Sequence, residues 1–151
     1  MKVNTEYFGE IEYKEDEVIV FEQGLYGFEA YHRFLPVAFQ DDSDRLILLQ
    51  SLEESALSFI VANPFFLFAD YHPVLSSEDY KRLGTEQEEE ISFYVILSVG
   101  ERAEGSRVNL RCPIAVNALS RKGIQAVLED KSYAFRQPLG KALTTGGEGK
   151  C

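Results

Sequence analysis

Apolar and polar side chains alternate with period two through most of this chain. In TEYFGEIEY (5–13), Tyr7, Gly9, Ile11 and Tyr13 share one side, and Glu6, Phe8, Glu10 and Glu12 the other, which predicts a strand with a largely acidic outer face. Further β-rich runs follow: EVIVFE (17–22), RFLPVAF (33–39), RLILLQS (45–51), LSFIVAN (57–63), ISFYVILSV (91–99), RVNLRCPIAVN (107–117) and GIQAVLE (123–129). The separators, among them QGLYG, DDSD, GERAEGS and SRKG, are turn-forming clusters. The expected fold is all-β and mostly antiparallel, a compact β-barrel-like domain with one short helix. That helix is predicted in SSEDYKRLG, where Ser76 caps, Asp79 stands three residues on and Gly84 ends the last turn. Residues 1–140 read as a single domain and 141–151 as a flexible tail.

The 151 residues suffice for one modest core, and 45% hydrophobic with 26% charged residues is the balance of a folded domain. No apolar run reaches the roughly 20 residues that cross a bilayer, and MKVNTEYFGEIEY lacks a signal peptide's apolar block, so a cytoplasmic location with no membrane partner is expected. Two cysteines, Cys112 and Cys151, make neither a disulfide framework nor a paired metal motif, and no cofactor is expected.

Charge changes the choice of partner. The formal net charge of −10 argues against direct nucleic-acid binding. It is also uneven: residues 1–100 hold 6 basic and 20 acidic residues (net −14), residues 101–151 hold 9 and 5 (net +4). Such asymmetry can steer a basic protein onto one face, although solubility alone also accounts for it.

Candidate catalytic groups are sparse. His32, His72, Asp70 and Cys112 are the titratable candidates for a nucleophilic site. Cys112, however, falls in register with Val108, Leu110, Ile114 and Val116, which predicts a buried structural thiol. His72, between Tyr71 and Pro73, suits a loop where its imidazole is solvated or bonded to backbone. DDSD (41–44) lacks the ligand spread of a calcium loop and reads as a turn; EQEEE (86–90) reads as a solvated face. There is no phosphate-binding glycine loop, no CxxC and no GxSxG, so no enzyme is expected.

Binding surfaces have more support. The even positions of RVNLRCPIAVN face the core, so Asn109, Arg111, Pro113 and Asn117 are expected to point outward together, and Pro113 marks an edge or a bulge suited to docking. Asn109 and Asn117 serve equally well as local turn-makers. In ANPFFLFADYHP (62–73), Pro64 interrupts the preceding strand, and Phe65, Phe66, Phe68 and Tyr71 match no single strand face. At least one ring is expected in the core; the others, with Asn63, Pro64 and Tyr71, are expected to form part of a partner groove, the alternative being a loop that caps one barrel end with its own rings.

Taken in order, FEQGLYGFEAYHRF (21–34), LLQSLEE (48–54), FIVANPFFLFADY (59–71), YVILSV (94–99) and VNLRCPIAVNALSRKGIQAVLEDKSYAFRQPL (108–139) resemble the FliW family of flagellar assembly factors. NL-x-x-PI-x-x-N followed by KG-x-Q carries most of the specificity, and Cys112 stands where another small residue would be expected. The resemblance implies a cytoplasmic, non-catalytic β-barrel-like protein, a monomer when free, that binds newly made flagellin. It also implies binding to the basic translational regulator CsrA, antagonised allosterically when flagellin export frees the factor, so that repression of flagellin translation is relieved. A small-molecule-binding barrel and a Cys–His hydrolase are the competing readings, separated by a co-purifying ligand and by rapid alkylation of Cys112.

Overall fold

The computed structural model describes residues 1–40, 43, 45–98 and 105–139. The tail expected over 141–151 and three of the four DDSD residues lie outside that set. The order is β1 (Lys2–Thr5), β2 (Gly9–Glu12), β3 (Ile19–Val20), β4 (Arg33–Ala38), β5 (Leu46–Ser51), β6 (Ser58–Ala62), α1 (Pro64–Leu67), α2 (Ser77–Leu83), β7 (Ile91–Ser98), β8 (Arg107–Val108), β9 (Ile114–Asn117), β10 (Gly123–Gln125) and β11 (Gln137–Pro138). Single 3-10 turns form at Glu15–Glu17 and Glu88–Glu90.

Among the described residues every strand ladder is antiparallel, so the all-β expectation holds. The main sheet runs β10-β9-β7-β6-β5-β4-β3, with β8 on the far half of β7 and β11 on β8. Its ends approach each other: the Val20 amide donates to the Arg121 carbonyl at 2.9 Å, beside a lone parallel bridge between Val20 and Lys122. The sheet is therefore curled but not closed by a full ladder. Pro36 sits in β4 beyond the reach of two-residue β3, where the missing amide leaves no gap in pairing.

Three expectations need correcting. Residues 5–13 are not one strand but a hairpin, with Thr5 paired to Gly9. The Thr5 hydroxyl donates to the Gly9 carbonyl and accepts from the Phe8 amide, and Gly9 takes a left-handed φ of 67°, so a turn hides inside apparent alternation. RVNLRCPIAVN is two short strands around a turn: the Asn109 side chain accepts from the Cys112 amide, and Leu110 and Arg111 both donate to the Ala134 carbonyl. Pro113, with no amide to donate, is buried where the ladder breaks. Finally there are two α-helices among the described residues. Asn63 accepts from the Phe65 amide and Pro64 opens α1, so NPFF caps and starts a helical turn. The predicted helix appears as α2, with the reciprocal Ser76–Asp79 bonds and Gly84 at φ 77°.

The alternation supplies two apolar faces. Phe34, Ile47, Leu49, Val61, Ile114 and Val116 pack with Ile19, Phe21 and Leu25 inside the curl. On the opposite face Ala62, Phe93, Val95, Ala115 and Ile124 are covered by Tyr71, Leu75, Leu83, Leu110, Leu128 and Leu139. Each fully buried aliphatic side chain contributes about 1.5–3 kcal/mol. Gly123 lets β10 press on the inner core, for a Cβ there would lie 2.6 Å from a Phe21 ring carbon. Among the described residues no helix is long and apolar enough to cross a membrane.

Candidate functional site

The aromatic segment after β6 divides its rings. The short α1 turn holds Phe65 and Phe66 outward, 44% and 56% exposed, whereas Phe68 packs against the outer core. Phe65 keeps an edge-on contact with Phe93 at 6.2 Å between centroids, and the Arg45 guanidinium lies 4.8 Å from the centre of Phe66. Tyr71, expected beside them in a groove, does lie 6.0 Å from Phe65 between ring centroids but is only 5% exposed. Its hydroxyl donates to the Leu110 carbonyl at 2.7 Å, its ring meets Tyr133 at 4.8 Å, and burial pushes its pKa well up. The reason is packing: α1 turns the chain back on itself, which brings Tyr71 over the 109–113 turn.

The outward row expected along 109–117 does not exist. Asn117 is 3% exposed; its amide nitrogen donates to the Leu83 carbonyl at 2.8 Å, and its oxygen accepts from the Leu119 and Ser120 amides at 2.9 and 3.2 Å. Asn109 is half-buried and spends its oxygen on the Cys112 amide. Both are turn-makers. Arg111 does reach the surface, donating to the Leu128 carbonyl and standing 5.4 Å from the centre of the Phe135 ring.

A larger apolar surface lies where no short motif pointed. Tyr26, Phe28, Val127 and Phe135 are all exposed and line one groove of about 610 Å³, with Phe59, Ile96, Val108 and Cys112 in its walls and Arg107 and Arg136 at its rim. A second depression of about 460 Å³ shares Tyr26, Gln125 and Val127 and runs on to Val74, Leu75 and Arg82. Gln125 builds the junction. Nearly buried, it accepts from the Tyr26 amide at 2.9 Å and donates to the Cys112 carbonyl at 3.2 Å, so one side chain ties the 24–28 loop to the 109–113 turn. Gly24 permits that loop: its φ is 71° and an added Cβ would lie 2.6 Å from the Glu29 Cα. Exposed aromatic residues clustered around a groove are the usual signature of a docking surface.

The profile of the FliW protein family matches residues 2–139, across all of these elements. The chain belongs to the FliW family. It is similar to the flagellar assembly factor FliW of Bacillus licheniformis, 38% identical over 140 residues that cover 93% of this chain and 97% of that protein. The corresponding protein of Exiguobacterium sp. is 39% identical, covering 93% and 95%. That of Shouchella clausii is 32% identical, covering 99% of both chains. A crystal structure of the flagellar assembly factor FliW superposes with a TM-score of 0.85 at 32% identity, covering 92% of this chain and 96% of that one.

The FliW-like sequence pieces converge in space. The glycine turn (24–27), the NL-x-x-PI turn (109–114) and the glutamine of KG-x-Q meet at Gln125, so the pieces that carried the resemblance both build the groove and, through Tyr26, Phe28, Val127 and Phe135, line it. A signal for Gln125 existed in that motif; its partners 13 and 99 residues away were not readable. Cys112 is a buried free thiol whose pKa is raised by burial, ahead of opposing effects of Arg111 and Asn109. His72 is exposed and donates its backbone amide to the Tyr133 hydroxyl, while the His32 Nδ1 lies 3.0 Å from the Phe21 carbonyl oxygen. Among the described residues no three His, Cys, Asp or Glu side chains gather as a metal site would require.

Proposed function

We propose that this chain is a cytoplasmic, non-catalytic flagellar assembly factor that holds newly made flagellin and, once released, binds CsrA and antagonises it allosterically, relieving repression of flagellin translation. Family membership supplies the flagellar role; the exposed groove of Tyr26, Phe28, Val127 and Phe135 is the observation that carries the binding reading. It suits an apolar helical segment that would be covered only once the partner has assembled. Phe65 and Phe66 offer a second apolar contact, and Arg111, through Phe135, steadies one edge of the first. CsrA, being basic, is assigned to the opposite kind of surface. Glu10, Glu12, Glu15, Asp16 and Glu17 lie exposed on β2 and the turn after it; among the described residues only Glu15 forms an ion pair, with Arg33, while Glu17 accepts from the Lys14 amide.

Purified flagellin and CsrA test this directly. Tyr26→Ala with Phe135→Ala should weaken flagellin binding at least tenfold while leaving the unfolding midpoint nearly unchanged, because both rings are exposed. Glu10→Lys with Glu12→Lys should weaken CsrA alone, and added salt should weaken CsrA more than flagellin. Absence of binding to either purified partner would overturn the reading.

A further inference from the structure

The groove of Tyr26, Phe28, Val127 and Phe135 carries opposite charge at its two ends. On one side Arg107 and Arg136 line it and no carboxylate does. Neither guanidinium forms an ion pair among the described residues, although the chain has 25 acidic residues against 15 basic ones. On the other side, past Tyr26 and Val127, the adjoining depression is lined by Asp79, Glu129 and Asp130, and among its lining residues Arg82 is the single arginine or lysine. Glu129 is exposed; Asp130 accepts from the Ser132 amide and hydroxyl at 2.9 and 2.6 Å, and Asp79 accepts from the Ser76 amide at 3.1 Å. None of the three carboxylates forms an ion pair among the described residues. The bonds from Ser132 hold the Asp130 carboxyl below its ordinary range, so it stays ionised. Arg111 flanks the middle, bound to the Leu128 carbonyl and set against the Phe135 ring.

The apolar stretch between the ends supplies contact area to any segment with an apolar face. Charge interactions are screened over about 8 Å at physiological ionic strength, so each end acts mainly on the part of a ligand that lies over it. A segment of uniform charge would gain at one end and be repelled at the other, whereas a segment with unlike ends gains at both.

We propose that the groove selects the charge polarity of its occupant, a selection that rests on the groove being the docking surface for an apolar helical segment. That segment has a basic end, which lies over Asp79, Glu129 and Asp130, and an acidic end, which lies over Arg107 and Arg136.

Three hydrocarbon-stapled helical peptides that share one leucine face test this on the full chain. One has lysines at one end and glutamates at the other, one has lysines at both ends, and one has glutamates at both; stapling equalises their helix content. At low salt the bipolar peptide should bind about fivefold tighter than either uniform one, and the advantage should shrink below about twofold in concentrated sodium chloride. In NMR spectra a nitroxide on its glutamate end should broaden the amide signals of Arg107 and Arg136, and one on its lysine end those of Glu129 and Asp130. Glu129→Arg with Arg136→Glu leaves the net charge unchanged and alters two exposed side chains, so the chain should stay folded while the advantage disappears. Equal affinity for the three peptides, broadening of both ends by either label, or an advantage that survives in the double variant would overturn the polarity while leaving the groove a docking surface. Failure of every peptide to shift Tyr26, Val127 and Phe135 would overturn the docking reading as well.

Discussion

Replacing Asn117 with Ala separates a folding role from a docking role at a position where sequence alone allows either. The variant loses the donor to the Leu83 carbonyl and the acceptor for the Leu119 and Ser120 amides. Leu83 ends α2 and is fully buried, so its carbonyl, an orphan of the helix terminus, has no ready access to water. An unsatisfied buried acceptor costs about 1–3 kcal/mol, and the two turn amides, which can rehydrate, add roughly 1 kcal/mol, for an expected loss of about 2–4 kcal/mol. With a urea dependence of about 1–3 kcal/mol per molar for a small protein, the midpoint should fall by roughly 1–2 M. Asn117→Asp keeps the acceptor but sets a second oxygen against the Leu83 carbonyl, and should fall further. Equilibrium unfolding followed by circular dichroism, with flagellin and CsrA affinities measured under conditions where the variant is folded, gives both answers. A stability unchanged within about 0.5 kcal/mol, together with lost binding, would refute the structural account and restore Asn117 as a contact residue.

Other perturbations probe the rest of the structure. Gly123→Ala drives a methyl to within 2.6 Å of the Phe21 ring and 2.9 Å of Ile19, so thermal unfolding should show a loss of about 1–3 kcal/mol; an unchanged melting temperature would mean that β10 is less tightly seated. Phe66→Ala removes an exposed ring and one cation–π contact, so stability should fall by no more than about 1 kcal/mol, and a larger loss would place the ring in the core. Iodoacetamide should alkylate Cys112 slowly in the native protein and rapidly in urea, as followed by mass spectrometry; fast native labelling would contradict its burial. The raised pKa values of Tyr71 and Cys112 mean that the folded state holds these protons more tightly than the unfolded chain does. Their contribution is therefore complete below the ordinary thiol pKa of about 8.5 and declines as pH rises past it, so Cys112→Ala should flatten the alkaline fall in stability; an unchanged slope would refute the assignment.

Strand identity was legible because short apolar runs rich in β-branched and aromatic residues, bounded by turn clusters, read as strands even where both faces are covered, and β4 to β7 repeat closely what RFLPVAF, RLILLQS, LSFIVAN and ISFYVILSV announce. The α2 helix was legible for a similar reason, since its cap, capping box and glycine stop act within nine residues. The hairpin at 5–13 was not, because Tyr7 and Phe8 continue the alternation straight through the turn that Thr5 and Gly9 close. Nor was the role of NPFF, where the same proline that breaks a strand starts a helix.

The candidate surface shows the same division. Local chemistry, written in neighbouring residues, determined by itself that this chain forms an antiparallel sheet of short strands, with an acidic first part, a buried thiol and a family signature. Whether Asn117 faces a partner or Leu83, whether Tyr71 is a groove wall or a core ring, and that Tyr26, Val127 and Phe135 share one groove depend on residues tens of positions apart meeting. Only tertiary structure decided these, because a side chain's partners are chosen by which strands curl together, and a buried polar group must take whichever partner the curl brings within reach.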